Sequence, residues 1–252
     1  MLHQTIHPVF FVGAGPGGTD HLTLGALRAI TAADVVIHDR LVGDEVLAQI
    51  PPQAKRVDVG KEGFGPSTSQ GFINDTLVAE ARTGARVVRL KGGDCGIFGR
   101  LDEEIEALEA AGIGFTILPG LTSATVAAAT IGQSLTRRGR NVSLRIITGH
   151  DTAGFAEQDW RGLARSGEVT AIYMGKKSAR FIQGRLMMHG AAADTPVTLV
   201  ENDSCADERV VSATLATLPE AAARLDGPTV ILFGLAPRQA VATLSGLKEA
   251  RA

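Results

Sequence analysis

The sequence predicts an α/β protein with two lobes, an N-terminal lobe with a mostly parallel sheet and a C-terminal lobe with a mixed sheet. Three observations lead to this fold class. Strand-length apolar runs alternate with helical stretches over residues 1–120, and this order favours parallel strands with right-handed crossovers. Gly-rich turns follow the ends of several of these strands. Beyond residue 120, several strands follow one another without a helix between them, which favours a mixed sheet.

In the N-terminal lobe, assigned to residues 1–120, turn residues punctuate each predicted element. Thr19 or Asp20 is expected to cap the first helix, and Gly84 is expected to end the second. The strands are predicted at 8–12, 34–38, 56–59, 86–90 and 115–118, and the helices at about 19–33, 69–82 and 102–111.

The C-terminal lobe, assigned to residues 121–252, begins with an Ala-rich helix at 123–131. Its further helices are predicted at 179–189 and 219–225, and its strands at 143–148, 169–174, 197–201, 209–213 and 229–234. Ligands of open α/β sheets bind beyond the carboxyl ends of the strands, so the Gly-rich turns are the first candidates for a binding site.

Composition excludes several classes of function. The chain has 252 residues and a formal charge of -2, whereas a general nucleic-acid binder needs a basic face. Its two cysteines, Cys95 and Cys205, form neither a metal-ligand pattern nor a disulfide framework, so a reducing cytoplasm is expected. No signal peptide and no apolar run long enough for a membrane span is evident.

The first Gly-rich turn, Gly13-Ala14-Gly15-Pro16-Gly17-Gly18, matches the dinucleotide-binding pattern G-x-G-x-x-G, with Asp39 about 20 residues beyond it. This pattern alone is weak. Pro16 has no N–H to offer a pyrophosphate, and Arg40 directly follows the acidic residue. A nicotinamide-dependent oxidoreductase therefore stays an alternative, as does a tight turn that binds no ligand.

Seven ordered segments together are far more specific. They are VGAGPGGTDHLTLGALRAI, HDRLV, VVRLKGGDCGIFGR, LPGLTSA, YMGKK, PVTLVEND and GPTVILFG. In this order and spacing the sequence resembles the tetrapyrrole methylase family over about residues 8–236.

The resemblance implies a homodimer in which S-adenosylmethionine (SAM) binds in a cleft between two α/β lobes, without a metal. The implied activity is transfer of methyl groups to carbons 2 and 7 of uroporphyrinogen III, giving precorrin-2 in sirohaem or cobalamin biosynthesis. Three alternatives remain: methylation of a later precorrin, a paralogue that binds without catalysis, and the oxidoreductase.

The resemblance also implies roles for particular residues. Asp39 and Lys61 match positions regarded as catalytic. The implied cofactor-binding residues are Pro16, Gly92, Gly93, Asp94, Ile97, Thr122, Ser123, Met174, Asp203 and Pro228. The substrate is a polyanion, so we expect Arg40, Arg100, Arg137 and Arg138 to bind its carboxylates.

A carboxylate such as Asp39, if directed at a pyrrole N–H, would stabilise the positive charge that develops when a ring carbon attacks the methyl group. The sequence departs from the family pattern at Cys95, Gly96, Arg137 and Asp203. These changes put cofactor binding and substrate choice in doubt.

Overall fold

A computed structural model of the chain describes residues 6–60, 69–151 and 154–239. The chain forms two compact units, Met1–Thr122 and Ser123–Ala252, called here the N-terminal and C-terminal units. Each unit contains one five-stranded sheet.

The N-terminal unit has a wholly parallel sheet with the strand order β3-β2-β4-β1-β5. Its elements confirm the predicted alternation, with one additional short helix, α2. The strands are β1 Val9–Gly13, β2 Val35–His38, β3 Lys55–Asp58, β4 Val87–Lys91 and β5 Phe115–Leu118, and the helices are α1 Leu24–Thr31, α2 Asp44–Leu47, α3 Gln70–Arg82 and α4 Leu101–Ala110.

Both faces of this sheet are covered by helices. Alternate strand residues point to opposite faces, so Phe11 of β1 packs with Leu77 of α3 and Leu108 of α4, while Val12 packs on the other face with Ile30 of α1. The central strands β1 and β2 are buried on both sides, which explains their apolar runs.

The first helix starts later than predicted. Thr23 caps α1, and its hydroxyl accepts the N–H of Ala26 at 3.0 Å. Thr19 and Asp20, the predicted caps, lie instead in a separate 3₁₀ turn, Thr19–His21. The prediction was wrong because the sequence offers three possible capping residues in succession, and only the last precedes a continuous helix.

The C-terminal unit has a mixed sheet with the order β11-β10-β12-β9-β6, in which β6 and β9 are parallel and the other pairs antiparallel. This confirms the predicted sheet type; the hairpin of β7 and β8 was not predicted. The strands are β6 Arg145–Thr148, β7 His150–Asp151, β8 Gly154–Phe155, β9 Thr170–Tyr173, β10 Pro196–Glu201, β11 Arg209–Thr214 and β12 Thr229–Phe233, and the helices are α5 Ser123–Thr130, α6 Trp160–Leu163, α7 Ala179–Met188 and α8 Leu218–Ala222.

Within the described ranges, none of the helices combines the length and apolar character that crossing a membrane requires.

Candidate functional site

The loops that follow β1, β2, β4 and β5 lie at one edge of the N-terminal sheet, because the carboxyl ends of parallel strands share an edge. Two of them are joined directly. Gly15 and Gly93 exchange backbone hydrogen bonds, with N···O distances of 3.1 Å and 2.7 Å. The first Gly-rich turn and the Gly92-Gly93 turn therefore form one surface, as the sequence predicted only from their positions after strands.

The glycines of this surface serve two different purposes. A Cβ on Gly13 would lie 2.6 Å from the Cα of Gly120, and a Cβ on Gly92 would lie 2.7 Å from the Cβ of Leu41. Those two glycines permit close packing between loops. Gly93, with φ +71°, faces only the Leu121 carbonyl oxygen at 4.0 Å, so its bare backbone leaves space for a ligand.

We expect Gly13→Ala to lower the free energy of unfolding by about 1–3 kcal/mol, because the new Cβ meets backbone that cannot rotate away. Besides Gly120, that Cβ would approach the Gly93 carbonyl oxygen at 2.8 Å. Urea denaturation measures the loss. Gly71→Ala in α3 is the control, since its nearest neighbour would be 4.0 Å away. Equal stability of the two variants would contradict the packing argument.

Asp94 holds this surface together through both carboxylate oxygens. Oδ2 accepts the N–H of Gly120 at 3.0 Å, and Oδ1 accepts the N–H of Gly96 at 2.8 Å. The implied contact of Asp94 with the cofactor stays a prediction, because the hydrogen bonds present explain Asp94 as a residue that joins two turns.

Asp39 follows β2 at the same edge. It is the partly exposed member of an otherwise buried ionic network. Its Oδ1 accepts a hydrogen bond from Nη2 of Arg89 at 2.7 Å, and its side chain is 30% exposed. Arg89 also binds Glu104, which binds Lys91 at 2.8 Å. Burial opposes the charge of Arg89, yet Asp39 and Glu104 outweigh it and raise the Arg89 pKa.

Sequence reasoning missed Arg89, Lys91 and Glu104. The signal was present: Arg89 and Lys91 are alternate residues of a strand predicted to be buried, so both point to one face. A buried charge needs a partner of opposite charge. The next predicted element along the chain is the acidic helix α4, whose carboxylates could have been identified as that partner.

Cys95, one of the departures from the family pattern, is a packed core residue and not a reactive thiol. Its side chain is fully buried in the core beneath α3 and α4, with Sγ 3.6 Å from the Leu118 carbonyl oxygen. Burial raises the pKa of the thiol to about 11, so it stays neutral. Gly96, beside it, is exposed.

The remaining candidates of the N-terminal unit lie near this edge with differing exposure. Pro16, Ile97 and Thr122 are half-buried, whereas Arg40 and Arg100 are exposed. Arg100 forms a 2.6 Å ion pair with Glu103. Lys61 lies outside the described residues.

The geometry of the first turn disfavours a dinucleotide site. The 3₁₀ turn separates it from α1, so its N–H groups do not open a helix, and the Gly15 N–H is already bound to Gly93.

Three candidates of the C-terminal unit share one edge of its sheet: Met174 follows β9, Asp203 follows β10, and Pro228 precedes the antiparallel β12. The Asn202 N–H donates to the Pro228 carbonyl oxygen at 2.9 Å. Ser123 starts α5, where the Ala124 N–H donates to the Tyr173 hydroxyl at 2.8 Å. The sheet thus brings these four residues to one region, but nothing in the geometry tests their contact with a cofactor.

Asp203 is unusual because the residue is only 6% exposed and both of its carboxylate oxygens are buried without a hydrogen bond of good geometry to any described residue. Burial, reinforced by the neighbouring Glu208, raises its pKa to about 8, although the Ala127 N–H lies near enough to oppose the shift slightly. At neutral pH the Asp203 side chain is therefore mostly uncharged and is turned into the C-terminal unit.

Arg137 and Arg138 lie on an exposed turn closed by Asn141. Arg140 anchors this turn to the Ser134 carbonyl oxygen at 2.7 Å and lies beside Gly167, which precedes β9. The turn is therefore near the edge where β6 and β9 begin, opposite the edge that carries Met174. Binding of substrate carboxylates by these arginines stays a prediction.

No group of three or more His, Cys, Asp or Glu side chains in the described part of the chain is arranged to hold a metal ion.

Comparison with known proteins agrees with this architecture. The family model for tetrapyrrole (corrin/porphyrin) methylases matches residues 8–219. Siroheme synthase 3 of Aeromonas hydrophila is 46% identical over 226 residues, which cover 90% of this chain and 48% of the relative. A siroheme synthase of Edwardsiella ictaluri is 48% identical, with coverages of 90% and 49%. The chain spans about half the length of these curated relatives.

Solved structures match over nearly their whole length. Uroporphyrin-III C-methyltransferase from Thermus thermophilus, complexed with S-adenosylhomocysteine, has a TM-score of 0.78 at 35% identity and covers 90% of this chain and 97% of its own. A cobalt precorrin-4 methyltransferase has a TM-score of 0.80 at 25% identity, with coverages of 90% and 94%. The family model covers most of the chain, and this chain therefore belongs to the tetrapyrrole (corrin/porphyrin) methylase family.

Proposed function

We propose that the chain is a SAM-dependent C-methyltransferase that converts uroporphyrinogen III to precorrin-2 by methylation at carbons 2 and 7. The observation that carries the proposal is Asp39, held by a buried arginine beside bare glycine backbone at the carboxyl edge of a parallel sheet. The Thermus thermophilus methyltransferases, matched over more than nine-tenths of their length, support the same substrate.

The residues at this edge suit the cofactor, because the turn at Gly93 presents backbone without a side chain. Bound SAM supplies a methyl group made electrophilic by the sulfonium. Asp39 would accept the pyrrole N–H through the carboxylate oxygen that does not bind Arg89, and it would stabilise the positive charge that grows on the ring. Arg40 and Arg100 would bind peripheral carboxylates and so fix which ring carbon faces the methyl group.

Anaerobic incubation with SAM and uroporphyrinogen III tests the proposal: the product mass should rise by two methyl groups. We expect Asp39→Asn to lower kcat by about 100-fold, because a neutral amide cannot balance the developing charge, with nearly unchanged affinity for S-adenosylhomocysteine. Asp75→Asn, an exposed change in α3, is the control. Parallel loss of affinity and kcat would make Asp39 a structural residue.

Methylation of a later precorrin is the second candidate, favoured by the likeness to the cobalt precorrin-4 methyltransferase. Transfer to such a substrate and none to uroporphyrinogen III would decide for it. The homodimer, the cytoplasmic location and a cofactor cleft formed by both lobes stay predictions.

A further inference from the structure

Glu104 is the centre of the buried network beneath Asp39. Its carboxylate accepts from Nε and Nη2 of Arg89, at 3.2 Å and 3.0 Å, and from Nζ of Lys91 at 2.8 Å. The three residues are 1–3% exposed. One side chain of α4 therefore anchors two cations of β4 out of contact with water.

This anchoring fixes the direction of the Arg89 guanidinium. Nη1 donates to the Leu90 carbonyl oxygen at 3.2 Å, Nε is occupied by Glu104, and Nη2 is shared between Glu104 and Oδ1 of Asp39. A planar group held on all three nitrogens has no freedom to rotate. The Nη2 group that donates to Asp39 therefore has a fixed position.

Only one oxygen of Asp39 is used by this contact. Oδ1 binds Arg89, whereas Oδ2 accepts no hydrogen bond from any residue that the structure describes. With Oδ1 held, Oδ2 keeps a defined orientation, and because the side chain is 30% exposed we assign Oδ2 as the oxygen that faces a ligand. Orientation of a reacting carboxylate to within a fraction of an ångström is what such a contact can provide.

Folding stability alone does not explain why four charged side chains form one cluster. They are Asp39, Arg89, Lys91 and Glu104. A buried ion pair usually contributes no more than well-packed apolar side chains of similar volume, because both ions lose their hydration. Arg89 and Glu104 stand where the strand and helix otherwise bury apolar residues such as Val87 and Leu108.

We propose that Glu104 is a positioning residue, which acts through Arg89 to orient Asp39 for methyl transfer. The inference rests on the proposed function, because it takes Asp39 as the group that faces the substrate. Glu104 itself touches neither substrate nor cofactor.

The test is Glu104→Gln, alone and combined with Asp39→Asn. A glutamine keeps the shape but offers one oxygen to four donors, Nε and Nη2 of Arg89, Nζ of Lys91 and Nε2 of Gln70, so the guanidinium loses its anchor. We expect kcat to fall by about 100-fold, with the affinity for S-adenosylhomocysteine changed less than about threefold. In the Asp39→Asn background the same change should cost less than about twofold in kcat, because there is no carboxylate left to orient. Glu106→Gln, exposed on the same helix, is the control.

A full additional loss in the Asp39→Asn background would overturn the proposal, since a purely structural role acts regardless of Asp39. So would unchanged kcat in a folded Glu104→Gln protein. If that variant does not fold, the double variant Glu104→Gln/Lys91→Met replaces it. The double variant removes one charge of each sign and likewise tests whether Arg89 needs the Glu104 carboxylate to orient Asp39. If the wild type binds S-adenosylhomocysteine but methylates no uroporphyrinogen III, the proposed function fails. Crystal structures of wild type and Glu104→Gln then still decide whether Asp39 turns away from Arg89.

Discussion

Replacing Arg89 by methionine is expected to lower the free energy of unfolding of the N-terminal unit by about 3–5 kcal/mol. The variant removes the cation that Asp39 and Glu104 share and leaves Glu104, which is only 1% exposed, paired with Lys91 alone among the described residues. A buried charge that has lost its partner retains the full free-energy cost of its dehydration. Removing one member of the network is therefore far more destabilising than replacing the whole network by apolar side chains.

Urea denaturation followed by circular dichroism measures this loss, and hydrogen exchange at the β4 amides assigns it to the N-terminal unit. Arg86→Met is a matched control next to the same strand. Arg86 pairs with Asp34 at 2.6 Å, but both side chains are about half exposed. The Arg86 hydrogen bond lowers the Asp34 pKa strongly, yet solvent screens an exposed pair and little stability should be lost. Similar losses in both variants would contradict the role of burial.

Most of the fold could be predicted because its signals are local. The apolar run that forms β1 and the glycine after α3 mark their elements without knowledge of the tertiary structure. The order of strands and helices then requires a parallel N-terminal sheet. The start of α1 was missed because Thr19, Asp20 and Thr23 compete as caps, and only the backbone geometry separates them.

The site was predictable only in outline. Asp39 was identified by resemblance, and its position after β2 followed from strand order. Its partner Arg89 is 50 residues away in sequence, and Glu104 is a further 15. Such contacts depend on how β2, β4 and α4 pack together, which neither periodicity nor local spacing encodes.

The positions of the side chains that depart from the family pattern could also be determined only from the structure. Cys95 put cofactor binding in doubt; the structure shows that its thiol is part of the core, and an effect on cofactor binding stays a prediction. Asp203 also put cofactor binding in doubt, and the structure shows that its carboxyl group is buried and mostly protonated at neutral pH. A sequence shows which side chain is present and not where it points.

Asp203 should make the stability of the C-terminal unit depend on pH. Its pKa in the folded chain is about 8 against an ordinary 3.8, so the folded state holds a proton that the unfolded chain releases. The sign follows from this difference: stability falls as the pH rises from about 4 towards about 8, by about 1.4 kcal/mol per pH unit, and levels off above that window.

Asp203→Asn should remove this dependence, because an amide cannot ionise, and should exceed the wild type in stability above about pH 7. Trp160, the only tryptophan of the chain, is buried in the C-terminal unit, so its fluorescence during urea denaturation reports the unfolding of that unit. Asp194→Asn, at an exposed position before β10, is the control and should keep the wild-type profile. Parallel pH profiles for wild type and Asp203→Asn would show that Asp203 is ionised in the folded protein, and a cation or a water molecule would then have to stabilise its charge.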